Sequence, residues 1–176
     1  MAEHSDAVMH VSCRAMIFFL SVGLAGVLPR PAAAIEKADR VLVLKAEHRL
    51  LLLHGDQLIN AYPIALGRHP TGPKHWQGDG RTPEGSYVID SRFDRTPYHL
   101  ALHISYPSEL DRARAASAGR RPGGDIFIHG MPQRFGHTDP VRFFRDWTNG
   151  CIAVGNIAIE EIWDAVDDGT PIEIRP

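Results

Sequence analysis

Short apolar runs alternate with turn residues through the first half of the chain. Arg40–Leu44 and His48–Leu53 are rich in Val and Leu and are separated by Ala46-Glu47; Gly55-Asp56 then turns the chain into Leu58–Leu66. Runs of this length, bounded in this way, predict a β-meander. Residues 67–85 carry five Gly and three Pro with little periodicity, which predicts a long loop ending in Thr82-Pro83-Glu84-Gly85. Strand character resumes at Ser86–Asp90 and at Tyr98–Tyr106. In the second run Leu100, Leu102 and Ile104 alternate with Ala101, His103 and Ser105, so His99 and His103 share the face opposite Leu100. Ser108-Glu109-Leu110-Asp111 predicts a helix start with Ser108 as N-cap and Gly119 as stop. Asp125–His129 reads as a short strand, and Pro140–Trp147 as one or two helical turns. Asn156 is the expected cap of a helix through Val166, with Ile159, Ile162, Trp163 and Val166 on one stripe. Gly169 closes that helix and Pro171–Arg175 returns as a strand. The expected fold is mainly β, a β-sandwich-like or partly closed antiparallel structure with two or three short helices.

Composition narrows the classes without naming a function. The chain has 176 residues, enough for one domain with an appendage. With 19 Lys+Arg against 21 Asp+Glu and a pI near 6.5, it lacks the basic face a nucleic-acid binder requires, and no nucleic-acid partner is expected. Residues 1–34 read as an export signal: Arg14 precedes an apolar run from Met16 to Leu28, and Ala32-Ala33-Ala34 offers small residues before Ile35. That run is 28 − 16 + 1 = 13 residues, short of the ~20 that span a bilayer. The expectation is a domain over 35–176, exported to the periplasm or cell envelope, monomeric, with no stable membrane span once the signal is removed. Cleavage takes Cys13 and leaves Cys151 as the sole thiol in an oxidising compartment, where a solitary cysteine asks for an explanation.

The neighbourhood of Cys151 supplies one. In Trp147-Thr148-Asn149-Gly150-Cys151-Ile152, the glycine permits a tight turn and close approach of a substrate. The backbone amides of Asn149, Gly150 and Cys151 can converge as an oxyanion hole. A thiol with a free pKa of ~8.5 needs an imidazole to take its proton. Of the histidines, His129 stands out, because it ends the apolar run Asp125-Ile126-Phe127-Ile128 and is followed by Gly130. A strand-end histidine is equally compatible with a structural role.

Ile128-His129-Gly130 followed by Thr148-Asn149-Gly150-Cys151-Ile152 resembles the signature of the L,D-transpeptidase (YkuD-type) catalytic domain. Thr82-Pro83-Glu84-Gly85-Ser86-Tyr87 looks like the Thr-Pro-x-Gly-x-Tyr segment of the same family, and the similarity runs from about Arg40 to Ile174. The resemblance implies a cysteine acyltransferase acting on peptidoglycan stem peptides. Cys151 would be the nucleophile, His129 base and then acid, and the Gly130 carbonyl would orient the imidazole; no metal and no cofactor are called for. Asn149 stands where the family often has His, and Ala153 where it often has Arg, which leaves substrate choice and acceptor open. Thr148, His103, Arg81 and Asn156 are the candidate substrate contacts, with Arg92, Arg95 and Arg134 as further cations near the loops.

Three other readings stand beside this one, and the first uses the same residues. The thiol can hydrolyse instead of transfer, as an L,D-carboxypeptidase or an amidase that releases wall-linked protein. A zinc site from His129, His137 and Cys151 or His103 has no recognisable ligand spacing. A non-catalytic wall-binding module would use Trp76, Tyr98 and Trp147 as sugar platforms.

Overall fold

The computed structural model describes residues 36–132 and 145–176. Its elements run β1 (Arg40–Leu44), β2 (Arg49–His54), β3 (Gln57–Pro63), β4 (Gly85–Thr96), β5 (His99–Ile104), α1 (Glu109–Ser117), β6 (Ile126–His129), β7 (Ile152–Ala153), α2 (Asn156–Ala165) and β8 (Pro171–Arg175). The eight strands follow the order β3-β2-β1-β8-β4-β5-β6-β7. Two neighbouring pairs, β1–β8 and β6–β7, are parallel and the rest antiparallel.

The sheet bends and then meets itself. β4 is the bend: its first half pairs with β8, its second with β5, and the register shifts between Ile89 and Ser91. A bulge of this kind increases local twist and turns a strand from one sheet into the next. At the other end the chain leaves β3 and bridges β7 through Ala65 and Ala153 and the cysteine turn through Gly67 and Thr148. The enclosed core takes one face of every long strand, including Val41, Val43, Leu50, Leu52, Ile89, Leu102, Ile104, Ile128, Ile152 and Ile172. Helix α2 covers it with Ile159 and Ile162. The expected β-sandwich-like architecture is the one observed.

Several element boundaries differ from the sequence reading. β4 is twelve residues long because its pairing with β5 continues through the polar stretch 91–96, where an apolar alternation gives no signal. β7 is only two residues and exists by pairing with β6, so nothing local marks it. Helix α1 starts as expected, with a reciprocal capping box between Ser108 and Asp111. Helix α2 is capped by Gly155 without a side-chain bond; Asn156 is already helical, and its Oδ1 accepts from the Met131 amide at 2.8 Å. The helical turns expected over Pro140–Trp147 fall largely outside the described residues.

Candidate active site

Parallel pairing of β6 with β7 decides which side chains meet. Ile128 lies beside Ile152 and His129 beside Ala153, so Cys151, one step before the ladder, comes beside Phe127. Strand alternation sends Ile128 and Ile152 into the core and turns Phe127, His129 and Cys151 to the other face. Cys151 and His129 are thus diagonal neighbours, roughly 8 Å apart at Cα by strand spacing and rise. Both line one cavity of about 660 Å³, walled by Phe93, Tyr98, Phe127 and Trp147 and rimmed by Arg68 and Arg95.

The imidazole is fixed from both sides. His129 is only 4% exposed, and its Nδ1–H donates to the Gly130 carbonyl at 2.7 Å. That bond selects the tautomer and leaves Nε2 as the basic nitrogen. The Tyr98 ring packs on the imidazole at 4.5 Å between centroids, and Trp147 meets it edge-on at 5.8 Å. Burial pushes the His129 pKa below its ordinary value, against the opposing pull of the Gly130 carbonyl. Gly130 is required by crowding: a Cβ there would lie 2.7 Å from Asn156 Oδ1 and 2.9 Å from the Tyr98 carbonyl.

The cysteine is half-buried and free. Its Sγ–H donates to the Asp125 carbonyl at 3.5 Å, and no hydrogen bond joins sulfur and imidazole in this arrangement. Burial raises the thiol pKa above its usual range; the Phe127 amide and the Lys74 ammonium pull it back, and Asp125 adds to the rise. The resting pair is therefore neutral thiol and neutral imidazole. Asp125 holds φ at 53°, a left-handed conformation uncommon for a side chain larger than glycine, at the point where its carbonyl meets the sulfur.

Thr148 organises the turn. Its hydroxyl donates to the Cys151 carbonyl at 2.7 Å and accepts from the Gly150 amide at 3.0 Å. This corrects one expectation: the Gly150 N–H is taken by Thr148, so it is not an oxyanion donor. The amides of Asn149 and Cys151 have no partner among the described residues. Gly150 has φ 136°, and a Cβ on it would stand 2.7 Å from the Arg81 carbonyl, so glycine is needed for geometry instead.

Three expected substrate contacts lie elsewhere. Arg81 donates from its guanidinium to the Thr71 carbonyl at 2.8 Å within its own loop. His103 is held by Asp90 at 2.5 Å and packs on Phe127 from outside the cavity lining. Asn156 is committed to Met131. Arg92 is drawn to Asp168 and lies over Trp163; Arg134 and His137 fall outside the described residues. Among the described residues, no three His, Cys, Asp or Glu side chains gather as a metal site. Trp76 sits under Arg120, apart from Tyr98 and Trp147.

Arg68 is the residue the sequence reading missed. Its guanidinium donates to Asn149 Oδ1 and its amide to the Thr148 carbonyl at 3.1 Å, so it is tied to the cysteine turn twice. An arginine in a Gly/Pro-rich loop carries no local mark of this; only the Gly67–Thr148 bridge brings it there.

Comparison with known proteins gives a consistent set. The L,D-transpeptidase catalytic domain (YkuD) matches residues 38–174. YafK of Escherichia coli (strain K12), an inferred L,D-transpeptidase, is 32% identical over 117 residues, covering 62% of this chain and 38% of its own. The helical cell shape determining protein Pgp2 from Campylobacter jejuni superposes with a TM-score of 0.60 at 28% identity, over 77% of this chain and 46% of that one. Bd1075 from Bdellovibrio bacteriovorus does so with a TM-score of 0.55 at 26% identity, over 82% and 50%. The chain thus spans half or less of the length of each of these relatives. Strand order, the His-Gly turn beside the Thr-Asn-Gly-Cys turn, and the match across nearly the whole sheet agree: the chain belongs to the L,D-transpeptidase catalytic-domain family.

Proposed function

We propose that this protein is an exported cysteine acyltransferase of the cell envelope that acts on peptidoglycan stem peptides, with residues 1–34 as its signal. The observation that carries the reading is the single cavity lined by both Cys151 and His129, with the imidazole's Nε2 left free by the Nδ1 bond to Gly130. The sulfur turns from the Asp125 carbonyl toward Nε2 and gives up its proton as it attacks the donor carbonyl. The oxyanion that forms is held by the amides of Asn149 and Cys151. Collapse breaks the amide C–N bond, leaves a thioester on Cys151, and returns the proton from His129 to the departing amine. An acceptor amine then attacks the thioester, its proton passes to His129, and the thiol is restored. Arg68 and Arg95 at the rim suit the carboxylates of stem peptides, and the aromatic wall sheds water from the acyl-enzyme.

The test is incubation with isolated muropeptides, read by mass spectrometry. Exchanged or cross-linked peptides are expected, and both are lost in Cys151→Ala. Shortened peptides alone would mean that water is the acceptor. No product with folded wild-type protein would overturn the reading. Exposure to a carbapenem adds a direct check on the nucleophile, since the resemblance implies a covalent adduct on Cys151 visible in the intact mass.

A further inference from the structure

The groove between β3 and α2 plays no part in the chemistry above. It is a cavity of about 410 Å³ with an apolar floor of Leu52, Ile59 and Ala165 and with Ile157 of α2 at its lip. Its charged lining is acidic throughout, from Glu36, Glu160, Glu161 and Asp164, and no described lysine or arginine lines it. Glu161 accepts from the Tyr62 hydroxyl at 2.9 Å and Glu160 pairs with His99 at 2.7 Å. Glu36 and Asp164 have no partner among the described residues. Ile157 is 73% exposed, more than any other large apolar side chain described. β3 is the edge of the sheet, yet it does not invite a further strand: the Ala61 amide donates to Asn60 Oδ1 at 2.8 Å, and Pro63 has no N–H. What the groove fits is an apolar side chain flanked by cations.

Such a surface lies on the same chain. Helix α1 buries only Asp111 and Ala115 and leaves Leu110 67% exposed, second to Ile157. Arg112 on the helix and Arg120 and Arg121 in the turn that follows are exposed, and Arg114 is partly so. Asp111 is turned inward to the Tyr87 hydroxyl, so Glu109 is the one exposed acid of α1 against these four arginines. Arg114 lies 3.6 Å from Asp111 of its own helix and Arg120 lies over Trp76, so neither is drawn to the groove within one chain. The two most exposed large apolar side chains thus stand on patches of opposite charge.

We propose that the groove is the docking site for α1 of a second copy of this chain. Leu110 of one copy seats against Ile157 and the apolar floor of the other, and the arginines of α1 and its following turn face Glu36 and Asp164. Each copy offers both patches, so the contact is heterologous and closes into a ring or runs on from copy to copy. Covering two exposed aliphatic side chains supplies affinity, and the opposed charges set register and rate. The monomer expected from the sequence is then the dilute form.

Sedimentation of the full chain tests this, under reducing conditions that keep Cys13 and Cys151 from linking copies. The mass is expected to rise above 19.5 kDa with concentration. Raising salt from about 0.05 to about 0.5 M should weaken association about tenfold. Two charge reversals are compared, Glu36→Lys/Asp164→Lys in the groove and Arg112→Glu/Arg121→Glu on the helix side. Each alone is expected to stay monomeric, and their equimolar mixture to associate as the wild type does, since each then meets its complement on the other. Leu110→Ser and Ile157→Ser, both at exposed positions, decide the matter if a reversal does not fold: each should weaken association about tenfold. A chain that is monomeric at every soluble concentration overturns the proposal, as does association that survives these changes or that the mixture fails to restore. So does a monomer whose Ile157 methyl resonances shift on adding a lysine-rich peptide, which assigns the groove to a foreign basic partner.

Discussion

At the scale of single residues, His129 and Cys151 carry their protonation as a consequence of burial. His129 resists protonation when folded but not when unfolded, so stability falls as pH drops through the ordinary imidazole value of 6.5. Cys151 resists ionisation when folded, so stability also falls as pH rises through 9.0, where the unfolded thiol ionises. Urea midpoints measured across pH should form a plateau between these values, with slopes of at most about 1.4 kcal/mol per pH unit at either side. The acid slope flattens in His129→Gln. The acid limb of kcat/KM, which reports loss of the base, should lie below 6.5. Thr148 is a separate case, because it satisfies one buried donor and one acceptor. Thr148→Val should cost about 1–3 kcal/mol by chemical denaturation and depress kcat by displacing the turn, while Thr148→Ser keeps both bonds and most of the activity.

Among elements, the contact of α2 with the end of β6 sets the His-Gly turn. Asn156 Oδ1 accepts the Met131 amide and presses on Gly130, whose carbonyl orients His129. Asn156→Ala should destabilise by about 1–2 kcal/mol and speed hydrogen exchange at Met131 specifically. It should lower kcat more than it raises KM, because the residue meets the base's support and not the cavity. Much at this scale was legible in advance. β1 and β8 coincide with the apolar runs Arg40–Leu44 and Pro171–Arg175, since half-buried strands must alternate whatever they pair with. Ser108 was readable as a cap because its bond is local. The second half of β4 and all of β7 were not, because their hydrogen bonds are to strands distant in sequence.

Over the whole molecule, the closing of the sheet through the segment after β3 puts Ala153 in a sealed position, bridged to Ala65 and 1% exposed. An arginine at 153, as the family often has, would be buried without an evident partner. Ala153→Arg should therefore destabilise by about 3–5 kcal/mol, measurable as a fall in unfolding temperature, and should not improve turnover. The guanidinium groups this chain offers the cavity come from Arg95 and from Arg68, the latter across the bridge from Gly67 to Thr148.

Read alone, the amino-acid sequence determined which segments alternate, where the caps and turns fall, and that one thiol stands in a Gly-Cys turn with a His-Gly strand end to match it, because each of these is written in adjacent residues. Tertiary structure decided the rest: that Arg81, His103 and Asn156 are bound elsewhere while Arg68 reaches the cavity, that Thr148 takes the Gly150 amide, and that two buried lysines brace the loop. These depend on contacts between segments tens of residues apart, and side-chain type alone holds no record of which partner a polar group will find.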